Sequence, residues 1–193
     1  NFYDFRAQSP AFENMAAYYT NNFALTGIAT PINLHGAVVT PALFPVLGVQ
    51  PQLGRWLVPE EEKPGVRSVV LSHAFWQRRF GGDPTILGQV IRLSGVPHTV
   101  VGILPAGFRG LTGEAETWVP LMTTSADDLN QKWSHSYYAV ARRKPGISDE
   151  QARSAVTVLG NRIDAAIPDP RGIAKYGAMA LSLQDSRVDP LIR

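Results

Sequence analysis

Apolar residues in the first fifty positions recur at two different periods. Across residues 4 to 20 they fall near one face at helical spacing, which predicts a helix. Asn22–Ile28 and Ile32–Thr40 are strand-like runs, and the turn residues from Gly27 to Pro31 predict a hairpin between them. Pro41–Leu47 predicts a short helix, because proline suits the first helical position.

The middle of the chain predicts a small β-rich unit with one helix. Ser68–Leu71 is a short apolar strand, and Ser72 is suited to cap a helix over His73–Phe80. Val90–Leu93 and His98–Leu104 are β-branched runs that predict a second hairpin. This part also contains a glycine-rich loop over Pro105–Gly113 and a short strand over Thr117–Leu121.

The last third predicts a strand, a helix and a second strand. Tyr137–Arg142 is the first strand, and Ser148 with Gln151 forms a capping box for a helix that Pro168 ends. Ala178–Leu183 is predicted as the second strand, so this part forms a βαβ unit.

The composition is that of a folded globular chain. The 193 residues are 45% hydrophobic and 18% charged, which argues against disorder. The net charge of +2 comes without a dense basic stripe, so no nucleic-acid partner is predicted. Because the sequence has no cysteine, disulfides, thiolate nucleophiles and Cys-ligated zinc are excluded.

No segment of the sequence is suited to cross a bilayer. The charge-free stretch between Glu13 and Arg55 carries asparagines and prolines that hydrocarbon would penalise, so strands and turns are predicted there. The chain also lacks an initiator methionine and a signal peptide. We therefore expect it to be a water-soluble piece of a longer protein.

The residues with possible chemistry all have a structural interpretation. Glu60, Glu61 and Glu62 predict a solvated acidic turn, since a calcium loop needs alternating ligands and a central glycine. Ser72 lacks the small neighbours of a nucleophile elbow and is predicted to be an N-cap. The histidines lack the close spacing of a metal site and are predicted to be structural or exposed: His35, His73, His98 and His135.

The glycine-rich loop after the second hairpin is the one candidate contact surface. Gly107, Gly110 and Gly113 recur every third residue, but a strand follows where a phosphate cradle needs a helix. A surface loop is predicted, with partner contacts at Phe108, Arg109, Gly110, Leu111 and Thr112. The four tryptophans are spread along the chain and are predicted to pack in the core. No catalytic residue, cofactor site or metal site is predicted.

Five blocks of sequence, in order along almost the whole chain, carry a family resemblance. They are Leu47–Arg55, Val69–Pro84, Val100–Phe108, Trp118–Leu121 and Ala141–Gly146. Together they resemble the MacB-like periplasmic core domain, and the texture is closest to the large permeases of acidobacteria. Within these blocks, we expect Gly48, Gly54 and Gly102 to allow tight turns or close backbone packing.

The resemblance implies an α+β fold with two lobes. A porter-like lobe containing the βαβ unit is built from both chain ends, residues 1–49 with 132–193, and a β-rich lobe with one helix is inserted at 50–131. The stretch from Gly48 to Pro64, rich in proline and glycine, agrees with a boundary there.

The resemblance also implies a function in transport. The domain would lie between two membrane helices of an ABC-type permease, on the periplasmic side of the bacterial inner membrane. It would couple ATP hydrolysis on a cytoplasmic ATPase subunit to substrate export or to mechanical work. The implied partners are that ATPase, a second permease copy, and a periplasmic adaptor or lipoprotein.

Two alternatives stay open at this point. The first is a periplasmic binding module for a peptide, a lipoprotein or a lipid, which predicts an apolar groove. The second is a hydrolase or another enzyme, which predicts convergent polar side chains with perturbed pKa values and is not favoured. A permease insert further predicts that residues 1 and 193 lie close together.

Overall fold

A computed structural model describes residues 2–27, 30–63, 65–111, 113–121, 137–166 and 177–186. The chain divides into two compact units, one of residues 16–140 and one of residues 1–15 with 141–193. The strands are β1 (Phe12–Thr26), β2 (Ile32–Val39), β3 (Leu53–Gly54), β4 (Ser68–Leu71), β5 (Val90–Leu93), β6 (Val96–Ile103), β7 (Thr117–Pro120) and β8 (Tyr138–Arg143). The helices are α1 (Phe2–Gln8), α2 (Leu43–Leu47), α3 (His73–Phe80), α4 (Asp149–Ala166) and α5 (Leu183–Ser186).

The strands form one mixed sheet whose pairings close on themselves. The strand order is β2-β7-β4-β6-β5-β1-β8, with β3 paired to β6, and β1 also pairs with β2. Six strands therefore make a closed ring, since β1 pairs with β5 on one side and with β2 on the other. Closing a sheet removes free strand edges, which are the usual sites of unwanted pairing.

Three neighbouring strands of the ring, β2, β7 and β4, bury apolar side chains on both faces. Val38, Val69 and Val119 belong to one hydrophobic cluster, which also takes Phe75 and Trp76 of α3. Their neighbours Val39, Val70 and Trp118 belong to a second cluster with Phe44 of α2. Because successive side chains of a strand point to opposite faces, the two clusters lie on opposite sides of the sheet. Residues 16–140 thus have two cores.

Local signals place α3 and its flanking turns. The Ser72 hydroxyl accepts a hydrogen bond from the Phe75 N–H at 3.1 Å, which confirms the predicted N-cap. Gly81 ends the helix with a φ of 61°, in the left-handed region where glycine has no steric penalty. Further on, Ser94 and Gly95 make the tight turn of the predicted β5–β6 hairpin.

The second unit has its own apolar cluster along α4. The Ser148 N–H donates to Gln151 Oε1 at 2.8 Å and the Gln151 N–H donates to Ser148 Oγ at 3.1 Å, so the predicted capping box is confirmed. One face of α4 buries its apolar residues against α1 and the start of β1. The buried members of the cluster are Phe5, Met15, Val156, Leu159 and Ile163.

Two predicted elements are wrong. Residues 4 to 20 are not one helix, because α1 ends at Gln8 and β1 begins at Phe12. Pro10 cannot donate a helical hydrogen bond, and β1 pairs with β2 from Tyr18 onward. Ala178–Leu183 is not a strand: residues 177–182 are irregular, α5 begins at Leu183, and the predicted βαβ unit does not form.

The α+β fold class is confirmed, and the predicted division of the chain into two lobes stays a prediction. The two compact units meet in sequence at 15/16 and 140/141, whereas the predicted lobes are 1–49 with 132–193 and 50–131. Pro168, Trp133 and both chain termini lie outside the described residues.

Candidate functional site

The predicted contact loop is fastened to the core by apolar side chains. The rings of Phe108 and Trp118 lie 5.9 Å apart, and Leu111 packs against the same cluster. Gly110 has a φ of 72°, and a Cβ at this position would stand 3.3 Å from Trp118 Cζ2. Arg109 is exposed between these anchors. The loop therefore presents one exposed cation on a backbone that is anchored to the core. Thr112 lies outside the described residues.

The acidic turn contains a buried carboxylate that the sequence interpretation missed. Glu61 is only 3% exposed, so the prediction of a solvated turn is wrong at this residue. Its Oε2 accepts from the Val58 N–H at 2.6 Å, and its Oε1 accepts from the Ser68 hydroxyl and from Arg55 Nη2 at 3.0 Å. Pro59 at the first position of a 3-10 helix, with an acid two residues later, is the local signal that indicates such a cap.

The surroundings of Glu61 keep it ionised. Burial alone would raise the pKa of this carboxyl, but hydrogen bonds from Arg55, Ser68 and Val58 outweigh it and hold the pKa below its ordinary value of 4.5. Both oxygens are occupied by donors from the protein. We therefore interpret Glu61 as a structural clamp between the turn and β4, not as a catalytic acid.

The three histidines that the structure describes differ in their surroundings. His35 is exposed, whereas His73 Nδ1 lies 2.7 Å from Gln52 Oε1. His98 is 4% exposed, with Nδ1 3.0 Å from the Val96 carbonyl and no partner for Nε2 among the described residues. His135 is outside those residues.

Burial governs the protonation of His98. It lowers the pKa of the imidazole, and the nearby Arg67 charge lowers it further, although the bond to the Val96 carbonyl opposes both. Across the described part of the chain, no group of three or more His, Asp or Glu side chains could hold a metal ion. His98 is thus a buried neutral side chain of the core.

The three tryptophan rings that the structure describes pack in or against the core, as the sequence predicts for them. Trp118 is buried, and Trp56 stacks on Phe44 with the ring planes 10° apart. Trp76 donates from Nε1 to the Asp83 carbonyl at 2.9 Å. Satisfying the indole N–H in this way allows such a ring to be buried.

Two open depressions lie on the unit of residues 16–140. One, of about 360 Å³, is polar and is lined by Asn21, Asn22, His35 and Glu114 among others. The other, of about 520 Å³, lies along β5, and its lining includes apolar residues and two arginines, Arg79 and Arg92. The polar depression has a hydroxyl, an imidazole and a carboxylate in its lining (Thr20, His35 and Glu114), but no hydrogen bond joins these side chains. Hydrolysis needs a nucleophile, a base and a group that orients the base in hydrogen-bond contact, and neither depression shows that arrangement among the described residues.

A match to a protein family identifies the kind of domain that this chain forms. The MacB-like periplasmic core domain matches residues 2–159. The chain belongs to this family. The five sequence blocks that carried the resemblance are therefore confirmed as a family signal. Among curated proteins, none matches the chain.

Solved structures show the same fold in this MacB-like domain. The periplasmic region of MacB from Actinobacillus actinomycetemcomitans superposes with a TM-score of 0.67 at 16% identity, covering 96% of this chain and 80% of that one. The extracellular domain of the ABC-type transporter YknZ from Gram-positive bacteria gives 0.66 at 15% identity, covering 93% and 88%. At these identities the likeness shows the fold alone.

The family is that of a transporter's periplasmic domain and is not an enzyme family. Within the residues that the structure describes, no helix has both the length and the apolar character needed to cross a membrane.

Proposed function

We propose that this MacB-like domain couples ATP hydrolysis on a cytoplasmic subunit to substrate export or to mechanical work on a periplasmic partner. The observation that carries the proposal is the family match over residues 2–159. The likeness in fold to domains of two ABC-type transporters supports it. The domain itself performs no reaction in this proposal.

The construction of residues 16–140 suits a part that transmits movement. A ring of six paired strands with a core on each face resists local deformation, because close-packed interiors transmit strain instead of absorbing it. The ion pair of Arg55 and Glu61 and the N-cap of α3 fix the turns on either side of β4. A displacement applied at one end of such a body would reach the other end.

The proposed setting is the periplasmic side of the bacterial inner membrane, within an integral membrane protein. Its proposed partners are a cytoplasmic ATPase, reached through membrane helices outside this sequence, and a second permease copy. A periplasmic adaptor or lipoprotein is a further proposed partner. The loop with Phe108, Arg109 and Leu111 is the proposed contact for it, because that loop offers an exposed cation on an anchored backbone.

The absence of cysteine allows a direct test of this function. Val158 on α4 and Val90 on β5 are 59% and 60% exposed, so Val158→Cys and Val90→Cys each place one spin label on one unit of the chain. The labelled protein is the complete permease, with any cysteine outside these 193 residues replaced by serine, reconstituted with its ATPase in nanodiscs. Distances between the labels of two copies are measured by pulsed electron paramagnetic resonance with ATP and with ADP.

We expect the distance between copies to differ between the two nucleotides at one or both positions. An ATPase variant that binds but does not hydrolyse ATP should hold the ATP distance, which separates the effect of nucleotide binding from that of turnover. Identical distance distributions in both nucleotides, from a permease that still transports, would contradict the coupling role.

A further inference from the structure

The depression along β5 is lined by apolar residues and by two arginines. Val90 is 60% exposed and Phe80 is half-buried, whereas Leu25, Ile86 and Ile91 are 2%, 8% and 7% exposed. Arg79 from α3 and Arg92 from β5 also line it, and both are exposed. All of these residues belong to the unit of residues 16–140.

The charge of this groove is not compensated within the described structure. No aspartate or glutamate is among the residues that line it. Arg79 forms no ion pair with any described residue, whereas its neighbour Arg78 is paired with Glu116. Arg92 donates from Nη1 to the Gly95 carbonyl at 3.0 Å, a neutral acceptor that leaves its positive charge in place. The groove therefore presents two cations beside an apolar surface.

We propose that this groove binds an acidic peptide segment with apolar side chains, contributed by a protein partner. Guanidinium groups accept carboxylates in a bidentate fork, and arginine is enriched at protein interfaces. Val90 supplies exposed apolar surface within the lining of the groove. The groove is open, whereas pockets for small molecules enclose most of the ligand surface, so a segment of a larger molecule fits it better.

This site differs from the loop with Arg109 and does not rest on the coupling role. A permease could move with ATP and bind no peptide here, or bind the peptide and not move. The two proposals therefore fail in different experiments.

The test measures fluorescence anisotropy of a short labelled peptide of alternating glutamate and valine, titrated with the 193-residue chain. We expect saturable binding that weakens as salt is raised, and no binding of the matched lysine–valine peptide. The double variant Arg79→Gln/Arg92→Gln should raise the Kd roughly tenfold, since an exposed ion pair contributes up to about 1 kcal/mol. Val90→Glu should also weaken binding.

A second double variant, Arg67→Gln/Arg162→Gln, removes the same charge from exposed positions that line neither the groove nor the loop with Arg109. It should keep the Kd within about twofold of the original. An equal loss in both double variants would mean that net charge alone attracts the peptide, and the groove proposal would be wrong. Absence of glutamate–valine peptide binding, with arginine-dependent binding to phosphatidylglycerol vesicles, would replace the protein partner by a lipid surface and overturn it as well.

Discussion

Arg55 and Glu61 form a bidentate ion pair, with 3.3 Å between Nη1 and Oε2 and 3.0 Å between Nη2 and Oε1. The carboxylate is buried, but the Arg55 side chain is 48% exposed. Water can therefore solvate the arginine if its partner is removed, which limits the cost of breaking the pair. Of the donors that remain beside Glu61, the Ser68 hydroxyl belongs to a buried residue and the Val58 N–H to a half-buried one, so water replaces the carboxylate less readily there.

Glu61→Gln should lower the free energy of unfolding by about 1–3 kcal/mol, because an amide cannot accept from all of these donors at once. Urea unfolding at neutral pH measures the change. Glu60→Gln makes the same substitution one residue earlier at an exposed position and should shift stability by less than about 0.5 kcal/mol. Equal effects of the two variants would show that Glu61 is not a clamp.

The buried His98 should make the protein less stable in mild acid. The pKa of His98 in the folded chain lies below the ordinary value of 6.5. As pH falls below about 6.5, the unfolded chain therefore binds a proton at this histidine more readily than the folded chain does. The free energy of unfolding should therefore decline as pH falls from about 6.5 toward the folded pKa. The Glu61 contribution is lost only at lower pH, below its ordinary pKa of 4.5.

His98→Gln should flatten the stability profile between about pH 5 and 6.5, measured by urea unfolding at successive pH values. The control is Asn33→Gln at an exposed position of β2, which changes no titratable group and should leave the slope of the profile unchanged. An unaltered slope in His98→Gln would mean that His98 titrates alike in the folded and unfolded chain.

Gly102 lies where β6 meets the segment that follows β3. A Cβ here would stand 2.1 Å from the Arg55 carbonyl oxygen, a backbone atom that cannot turn away. Gly102→Ala should therefore destabilise the protein by roughly 3 kcal/mol, as overpacking does in other cores. Gly177→Ala is the control, since no atom of the described residues lies within 4 Å of a Cβ at that position. A melting temperature of Gly102→Ala equal to that of the control would contradict this close approach.

Replacing Gly160 on α4 by alanine should lower stability, which is the opposite of the usual effect at a helical glycine. Alanine is ordinarily the better helix former by about 1 kcal/mol, but a Cβ here would stand 2.8 Å from the Ala178 Cβ and 2.9 Å from its backbone nitrogen. We expect Gly160→Ala to lower thermal stability. Ser154→Ala, on the exposed side of the same helix, should leave it unchanged or slightly raised. A gain in both variants would show that residues 177–180 do not pack on α4.

Short-range sequence patterns predicted correctly the elements that depend on residues only a few positions apart. The cap of α3 at Ser72 and the capping box of Ser148 and Gln151 form as predicted, because donor and acceptor stand three residues apart. The strand at Ser68–Leu71 was predicted at its observed limits. The surface loop that carries Arg109 was also predicted from its glycines.

Prediction from short-range patterns failed where contacts with distant residues determine the structure of a segment. Residues 12 to 20 have helical spacing, but β2 offers them a partner from Tyr18 onward, and a ladder of paired strands outweighs a weak local preference. Ala178–Leu183 looks like a strand, yet Ala178 packs on Gly160 of α4. The burial of Glu61 likewise depends on Ser68, which the turn reaches only in the folded chain.

By itself the sequence determined the family, the α+β class, the helix caps and the absence of thiol chemistry, since each depends on residue types or on neighbours a few positions apart. Tertiary structure alone decided that six strands close into a ring, that one glutamate of three is buried, and that Arg79 and Arg92 flank one groove. The physical reason is that pairing and burial depend on which distant segments meet. Local conformational propensities are too small to determine which distant segments pair or pack together.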